Sequence, residues 1–515
     1  MPRDIEQAQT QPEAKPDQGL TRRRFLQGAA GAVVLGGAGF GVAQLGSSPR
    51  RRVRTYPELH FRSRPDLSPP PIKVLVPAHG TEPGMVMLTA ARTDHYQNGP
   101  MIVDDAGELV WFSPQHRGST SLQVQRYKGR PVLTWWRGRI VLPGGYGAGD
   151  YVLAGSDYRP IAHVRAGNGL DGDLHEFVIT PSGTALFTIY HPRPTDLSAI
   201  GGPRDGTLLD SLFQEVDVGT GRVLSQWSAA AHVGLEESYQ RLPEKAGEPY
   251  DFFHINSIAV DVDGHLVISA RHTWTIYKID RSSGAVIWRL GGKRSDFNIE
   301  TSARFAFQHD AQPYPGGILT VFDNGAGDFE NARHSRGLKL GVDSSSKRVR
   351  LIDQYLPEPL VLASSQGSMR LLPNGNAFIG WGAEPYFAEY GPDARVRFDA
   401  QMLGGANSYR AFRSAWIGKP ATAPDLAVEP LQPRRFALYA SWNGATEVSR
   451  WEVIAGDRPE ALSHTLGLFP RTGFETAMRV VTTLTYLGVR ARDRRGRVLG
   501  RSAAVLTPHH ATTGG

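Results

Sequence analysis

Val262-Asp263-Gly264-His265-Leu266-Val267-Ile268-Ser269-Ala270 decides the fold, read together with the eighteen residues after it. The chain continues through Ile276-Tyr277-Lys278-Ile279-Asp280, a turn over 281–284, and Ala285-Val286-Ile287-Trp288. Each apolar run is about five residues, rich in β-branched and aromatic side chains, and bounded by Asp-Gly or a Gly-containing charged turn. That pattern predicts short strands joined as hairpins. The same unit recurs at 102–112 (turn Asp105-Ala106-Gly107, closing Trp111), 132–164, 180–227 (turn Ser182-Gly183), 316–355 and 371–398 (turn Pro373-Asn374-Gly375-Asn376). Six units of blade length, roughly 40–50 residues, predict an all-β six-bladed propeller, with five or seven blades as the alternatives. One such sheet cannot bury both its faces, whereas radial stacking lets each cover its neighbour.

Working outward, the propeller is expected over 72–416. Residues 417–432 carry Pro420, Pro424 and Pro430 and read as a linker. Residues 433–508 hold further short strands and the aromatics Trp442, Trp451 and Tyr486, expected in the core of a small β-sandwich of fibronectin III or immunoglobulin type. The tail is 509–515. Upstream, 47–71 is Arg- then Pro-rich and reads as an extended, poorly packed linker. At the start, Thr21-Arg22-Arg23-Arg24-Phe25-Leu26-Gln27 precedes a Gly/Ala/Val-rich run to residue 46. Residues 1–46 resemble a twin-arginine export signal. The expectation is an extracytoplasmic or cell-surface protein and a partner in the twin-arginine machinery. Release after cleavage and retention by the uncleaved segment both remain open.

Composition narrows the chemistry. The chain of 515 residues is 40% apolar and 21% charged, with 58 glycines and 36 prolines, as a turn-rich globular protein should be. Its net charge of +7 is small for this length and sits mostly in 419–501, so no nucleic-acid partner is expected. With no cysteine, disulfides, thiolate metal sites and cysteine nucleophiles are excluded. Asp261-Val262-Asp263-Gly264 has calcium-like spacing, but a strand-joining turn accounts for it better, and no metal is expected.

Three units begin with a histidine. They read Asp173-Leu174-His175-Glu176-Phe177, Phe252-Phe253-His254-Ile255-Asn256-Ser257-Ile258 and Phe307-Gln308-His309-Asp310-Ala311. In a six-blade register these histidines open the innermost strands of the third, fourth and fifth blades and face one axial pocket. Asn256, two residues beyond His254, is expected on the same strand face. Arg271 ends a strand, and its five donors suit an anionic sulfate or phosphate group. Asn256, Asp310 and Asn324 are the substrate-binding candidates. Asp310 is given an orienting or structural part beside His309, and Asn324 a place in the strand-end turn Asp323-Asn324-Gly325.

At Leu174-His175-Glu176-Phe177, His254-Ile255-Asn256-Ser257-Ile258, Ser269-Ala270-Arg271 and Gln308-His309-Asp310, the chain resembles the bacterial PAPS-independent arylsulfotransferases. Ser441-Trp442-Asn443-Gly444-Ala445-Thr446 looks like a segment of shorter members with an appended sandwich. The resemblance implies a propeller enzyme that moves a sulfuryl group from a phenolic sulfate donor to a phenol acceptor, with no cofactor. It implies that His309 is the nucleophile forming a sulfohistidine, that His254, Asn256 and Arg271 bind sulfuryl oxygens, and that His175 is the general acid or base. A pocket threonine of that family has no clear counterpart, though Ser364, Ser365 and Ser368 lie in its region. A non-catalytic propeller that binds a ligand or protein at the cell surface is the alternative.

Overall fold

The computed structural model describes residues 59–508 except 94, 143, 245–246 and 326–333. The signal-like segment 1–46, residues 47–58 and the tail 509–515 lie outside the described residues. Among the described residues, helix is confined to single 3-10 turns, and none is long and apolar enough to cross a membrane.

Six sheets form the blades of a propeller, antiparallel throughout except where the short outer strand Asn298–Ile299 pairs parallel with Arg348–Tyr355. Blade 4 is the unit around Val262–Trp288. From the axis outward its strands are Ile255–Val260, Leu266–Ala270, Thr275–Ile279 and Val286–Gly291. Leu266–Ala270 is buried along its whole length because a neighbouring blade covers each face. The Asp-Gly turn before it places Gly264 at φ +85°, a left-handed conformation that glycine adopts without a Cβ penalty. The innermost strands of the other blades are Phe412–Ser414 (blade 1), Gly118–Tyr127 (blade 2), Phe177–Ile179 (blade 3), His309–Tyr314 (blade 5) and Ser368–Leu371 (blade 6).

Apolar side chains fill the wedge between each pair of adjacent blades. Trp111, Leu133 and Phe412 pack between blades 1 and 2, and Trp136, Tyr151 and Phe187 between blades 2 and 3. Phe213, Phe253 and Ile268 fill the 3–4 wedge, and Leu290, Phe305 and Val321 the 4–5 wedge. Phe322, Met369 and Trp381 fill the 5–6 wedge, and Leu88, Phe378 and Phe398 the last. Each fully buried large side chain contributes about 1.5–3 kcal/mol. The ring is closed from both ends of the chain. Phe412–Ser414 pairs with Met85–Met87 as the innermost strand of blade 1, and Ile72–Val76 adds an outermost strand to blade 6. Propensity and turn signals cannot specify these pairings, because their partners lie over 300 residues away.

The C-terminal module packs two sheets face to face. One holds Asp425–Gln432, Arg435–Ser441 and Glu475–Val481, and the other His464–Pro470, Arg450–Gly456, Tyr486–Arg492 and Val498–Arg501. Trp451 is buried in its core, whereas Trp442 and Tyr486 are only partly buried. The stretch read as a linker to residue 432 ends in the sandwich's own edge strand, Asp425–Gln432. Pro430 is tolerated within it because an edge strand leaves N–H groups unpaired. Nor are the described residues of 47–71 loosely packed. Leu67 is buried, Phe61 packs on Phe474 at 4.5 Å between ring centroids, and the Ser63 N–H donates to Glu475 at 2.6 Å.

Asn443, in the Ser-Trp-Asn-Gly-Ala-Thr segment, fastens the sandwich to the propeller. Its Oδ1 accepts the Phe112 N–H and its Nδ2 donates to the Phe112 carbonyl, both at 2.9 Å, so the amide copies a strand partner. Gly444 N donates to Val110 O and Tyr158 Oη donates to Gly444 O. Asn443→Ala strands both groups of Phe112 and should destabilise the chain by about 1–3 kcal/mol. Chemical denaturation would detect this, and an unchanged midpoint would contradict the role.

Candidate active site

At one end of the axis the innermost strands of blades 3, 4 and 5 begin, and there the chain leaves ordinary strand geometry. His254, Phe307 and Asp310 have φ of +57°, +53° and +55°. A side chain in this region costs of order 1–3 kcal/mol and persists only where packing enforces it. At His254 the enforcement is visible. Phe252 and Phe253 are locked in the core between blades 3 and 4, while His254 O accepts Arg271 N and Phe253 O accepts His272 N.

The histidines converge. The rings of His175 and His254 meet edge to face at 5.0 Å. Tyr409 lies 5.5 Å from His175 and 6.3 Å from His309, spanning the gap between them. Arg271 comes directly after the strand Leu266–Ala270. Its Nη1 contacts His272 Nε2 at 2.8 Å, and its Nη2 donates to Ser364 O at 3.1 Å.

Each histidine has a fixed orientation. Asn324 Nδ2 donates to the carbonyls of Ala363 and Gln366, so its Oδ1 accepts from His309 Nδ1 at 2.7 Å. The proton is thereby on Nδ1 and the lone pair on Nε2. That lone pair accepts the Gln366 N–H at 3.2 Å. His175 Nδ1 donates to Asp173 Oδ2 at 2.6 Å, and Asp173 also takes the N–H groups of His175 and Gly147 and the Thr188 hydroxyl. His254 Nδ1 pairs with Asp251 Oδ2 at 2.5 Å.

Burial governs the electrostatics. Desolvation, then the Arg271 charge, holds His309 well below the ordinary histidine value, so it is neutral at pH 7. Desolvation, with His175 and Arg271 adding to it, does the same to His254. His272 is lowered to about 3, chiefly by desolvation. Arg271 is brought down to about 10 by desolvation and stays charged. Burial alone would raise the Asp173 carboxyl, but the His175 charge and its hydrogen bonds outweigh this and leave it lowered. Asp251 is raised by desolvation.

A stability consequence carries a definite sign. His254, His272 and His309 have folded pKa values below the unfolded one, near 6.5. Below that pH the unfolded chain therefore binds more protons, and stability present above 6.5 is lost on acidification. Asp251 opposes the trend only at lower pH, in the raised-carboxylate window. Between pH 7 and 5, denaturation should show stability falling by up to about 1.4 kcal/mol per pH unit per histidine. A flat profile would rule out neutral burial.

Two expected substrate contacts are placed elsewhere. Asp310 turns away from His309. Its carboxylate binds Arg370 (Nη2 at 2.6 Å) and the Met369 N–H, so it ties blade 5 to blade 6 and has no capacity left for a substrate. Asn256 lies in the wall between blades 4 and 5, its Nδ2 donating to Gln308 O at 2.7 Å. A bulge between Ile255 and Ser257 breaks the alternation that would have put it on the His254 face. Asn324 contacts His309 directly, so its placement orients the imidazole. Asp261 and Asp263 both face the Lys278 ammonium.

Asp173, Asp251, His272, Tyr409 and Gln366 are site residues that the motif reading did not assign. The two aspartates had a signal, since each precedes a site histidine by two or three residues. Asp251, His254 and His272 crowd closely enough to suggest a metal cluster. Their geometry instead fits an internal network. His272 Nδ1 donates to Asp251 O, its Nε2 faces Arg271, and a guanidinium there disfavours a second cation.

No curated protein matches the chain. Similar solved structures include a protein of unknown function from Bacteroides caccae. It is 14% identical, with 64% of this chain and 100% of that chain covered and a TM-score of 0.38. Virginiamycin B lyase from Staphylococcus aureus is 8% identical, with 64% and 88% covered and a TM-score of 0.32. The sequence model of the arylsulfotransferase (ASST) family matches residues 123–402, more than half of the chain, from the innermost strand of blade 2 through blade 6. That span takes in the three histidines and Arg271, and the chain belongs to the arylsulfotransferase family.

Proposed function

We propose that the protein transfers a sulfuryl group from an aryl sulfate ester to a phenol through a covalent intermediate on His309. One observation carries the reading. The neutral His309 imidazole has its proton fixed on Nδ1 by Asn324 and its lone pair on Nε2, facing the segment that also receives Arg271.

In the first half-reaction Nε2 attacks sulfur. The N–S bond forms, the S–O bond to the aryl group breaks, and its electron pair leaves on the phenolic oxygen. His175, held on Asp173 through its Nδ1, supplies the proton that oxygen needs. In the second, an acceptor phenol gives its proton back to His175 and its oxygen attacks sulfur. The N–S pair returns to Nε2, as ping-pong kinetics require. The Gln366 N–H occupies the lone pair at 3.2 Å, which leaves no room for a sulfur between them. Substrate entry must displace this N–H, which then serves as a donor to a sulfuryl oxygen beside Arg271.

Trp274 and Phe307 supply the aryl-binding wall. Their rings are 5.2 Å apart, Tyr239 stacks on Trp274 at 3.8 Å, and Arg271 sits over Phe307 at 4.5 Å. The test is donor consumption with and without a phenol acceptor, together with mass spectrometry of the quenched protein. Sulfation of the His309 peptide by donor alone is expected. Ligand binding without turnover would favour a non-catalytic propeller.

The C-terminal module is read as fibronectin III-like, supported by its two facing sheets of three and five strands. Export by the twin-arginine route is also part of the proposal, on the motif at Arg22-Arg23. Replacing Arg22, Arg23 and Arg24 with lysine should hold the chain in the cytoplasm. Fractionation that finds it exported regardless would exclude that route.

A further inference from the structure

Immediately beneath the histidines lies a layer of buried charge that the proposed reaction does not use. Its centre is Arg410, fully buried, in the segment that leads from blade 6 into the ring-closing strand Phe412–Ser414. Its Nη1 donates to both carboxylate oxygens of Glu176 at 2.9 Å, its Nη2 donates to Asn256 O at 2.8 Å, and Asp310 lies 3.7 Å away. Asp310 is held in turn by Arg370 from the innermost strand of blade 6.

These contacts fall at matching places. Glu176 comes directly after His175, Asn256 is two residues beyond His254, and Asp310 comes directly after His309. One planar guanidinium thus hydrogen-bonds the residue after His175 and the residue two beyond His254, and faces the carboxylate of the residue after His309 at 3.7 Å, on three different blades. Two arginines and two acids make the layer neutral, so its charge does not explain its siting on the axis. A planar fork that bonds two blades and faces the carboxylate of a third does, because Arg can hold several oxygens in one plane and Lys cannot.

We infer that Arg410 is a positioning residue for sulfuryl transfer: it sets the spacing of His175, His254 and His309, and makes assembly of the site depend on closure of the ring. The inference rests on the proposed transfer reaction for its kinetic consequence, but not for its structural one.

Arg410→Lys keeps the charge and removes the fork. The expected result is a folded protein whose kcat for transfer falls about 10–100-fold, as misplacement of reacting groups by about 1 Å would cause. Donor KM should change less than about 3-fold, since Arg271 is untouched. Histidine-detected nitrogen NMR without substrate should show shifted ring signals for His175, His254 and His309 and unchanged signals for exposed His464. Unshifted site signals, or wild-type kcat in folded Arg410→Lys, would overturn the inference. If Arg410→Lys does not fold, Glu176→Gln with Arg410→Gln keeps the layer neutral and is read the same way. Failure of both to fold would make Arg410 a folding residue only and also overturn it. Should the wild-type protein transfer no sulfuryl group, the functional reading falls while the NMR arm still decides the positioning role.

Discussion

His309→Ala is expected to lower sulfuryl transfer by about 10⁴-fold or more, the scale seen when a covalent nucleophile is deleted. A chromogenic aryl sulfate with a phenol acceptor would read it. The size reflects what the side chain does. His309 supplies the only bond to sulfur between donor and acceptor in the proposed cycle, so its loss leaves direct transfer between two bound phenols. That needs both in line within a site shaped for one at a time. His309 is buried among core residues, so the variant also leaves a cavity, and folding must be checked by thermal melt. A His309→Asn variant separates the two effects, because its amide can still meet Asn324 but cannot attack sulfur. Both variants should bind donor and fail to become sulfated. Retained transfer above a few per cent in either one would sink the assignment, and sulfation at another histidine would move it.

How much of this was legible in the sequence differs between elements. Blade 4 was readable because its strands are local. Asp-Gly turns, five-residue apolar runs and a closing tryptophan sit within 27 residues, and turn chemistry dictates the hairpins. Ring closure was not, because Ile72–Val76 and Phe412–Ser414 find their partners by topology, and a three-residue strand carries almost no pattern. The same limit applies to the site. His175, His254 and His309 stood out as one residue type at one blade position, which a repeat makes comparable. Tyr409 and Arg410 sit at the equivalent start of blade 1's innermost strand. That strand comes last in the chain rather than first, so the repeat does not align it with the others. Asn256 misled for a different reason. Strict alternation assumes an unbroken strand, and a left-handed His254 followed by a bulge alters the register of side chains without any glycine to announce it.

Arg271 should be the second most sensitive position, for two reasons. In the proposed cycle its guanidinium is the cation that meets the sulfuryl group, oriented by His272 and by the Ser364 carbonyl. Removing one pre-oriented donor of this kind costs about 10²–10³ in kcat. Arg271→Met is therefore expected to fall in that range. Arg271→Lys should recover only part of it, because a single ammonium cannot meet His272, Ser364 and a sulfuryl oxygen together. The second reason concerns pH. After desolvation, the Arg271 charge is the next largest influence that lowers His309, and it lowers His254 as well. Taking it away raises both pKa values, so the pH below which the nucleophile is protonated moves upward. In kcat/KM against pH, the acid limb belongs to the free enzyme. It should lie well below 6.5 in the wild type and shift toward neutrality in Arg271→Met, but stay near its wild-type place in Arg271→Lys. A loss of rate with an unmoved limb would mean that Arg271 binds the sulfuryl group without setting the state of His309. An unchanged rate would remove it from the site altogether.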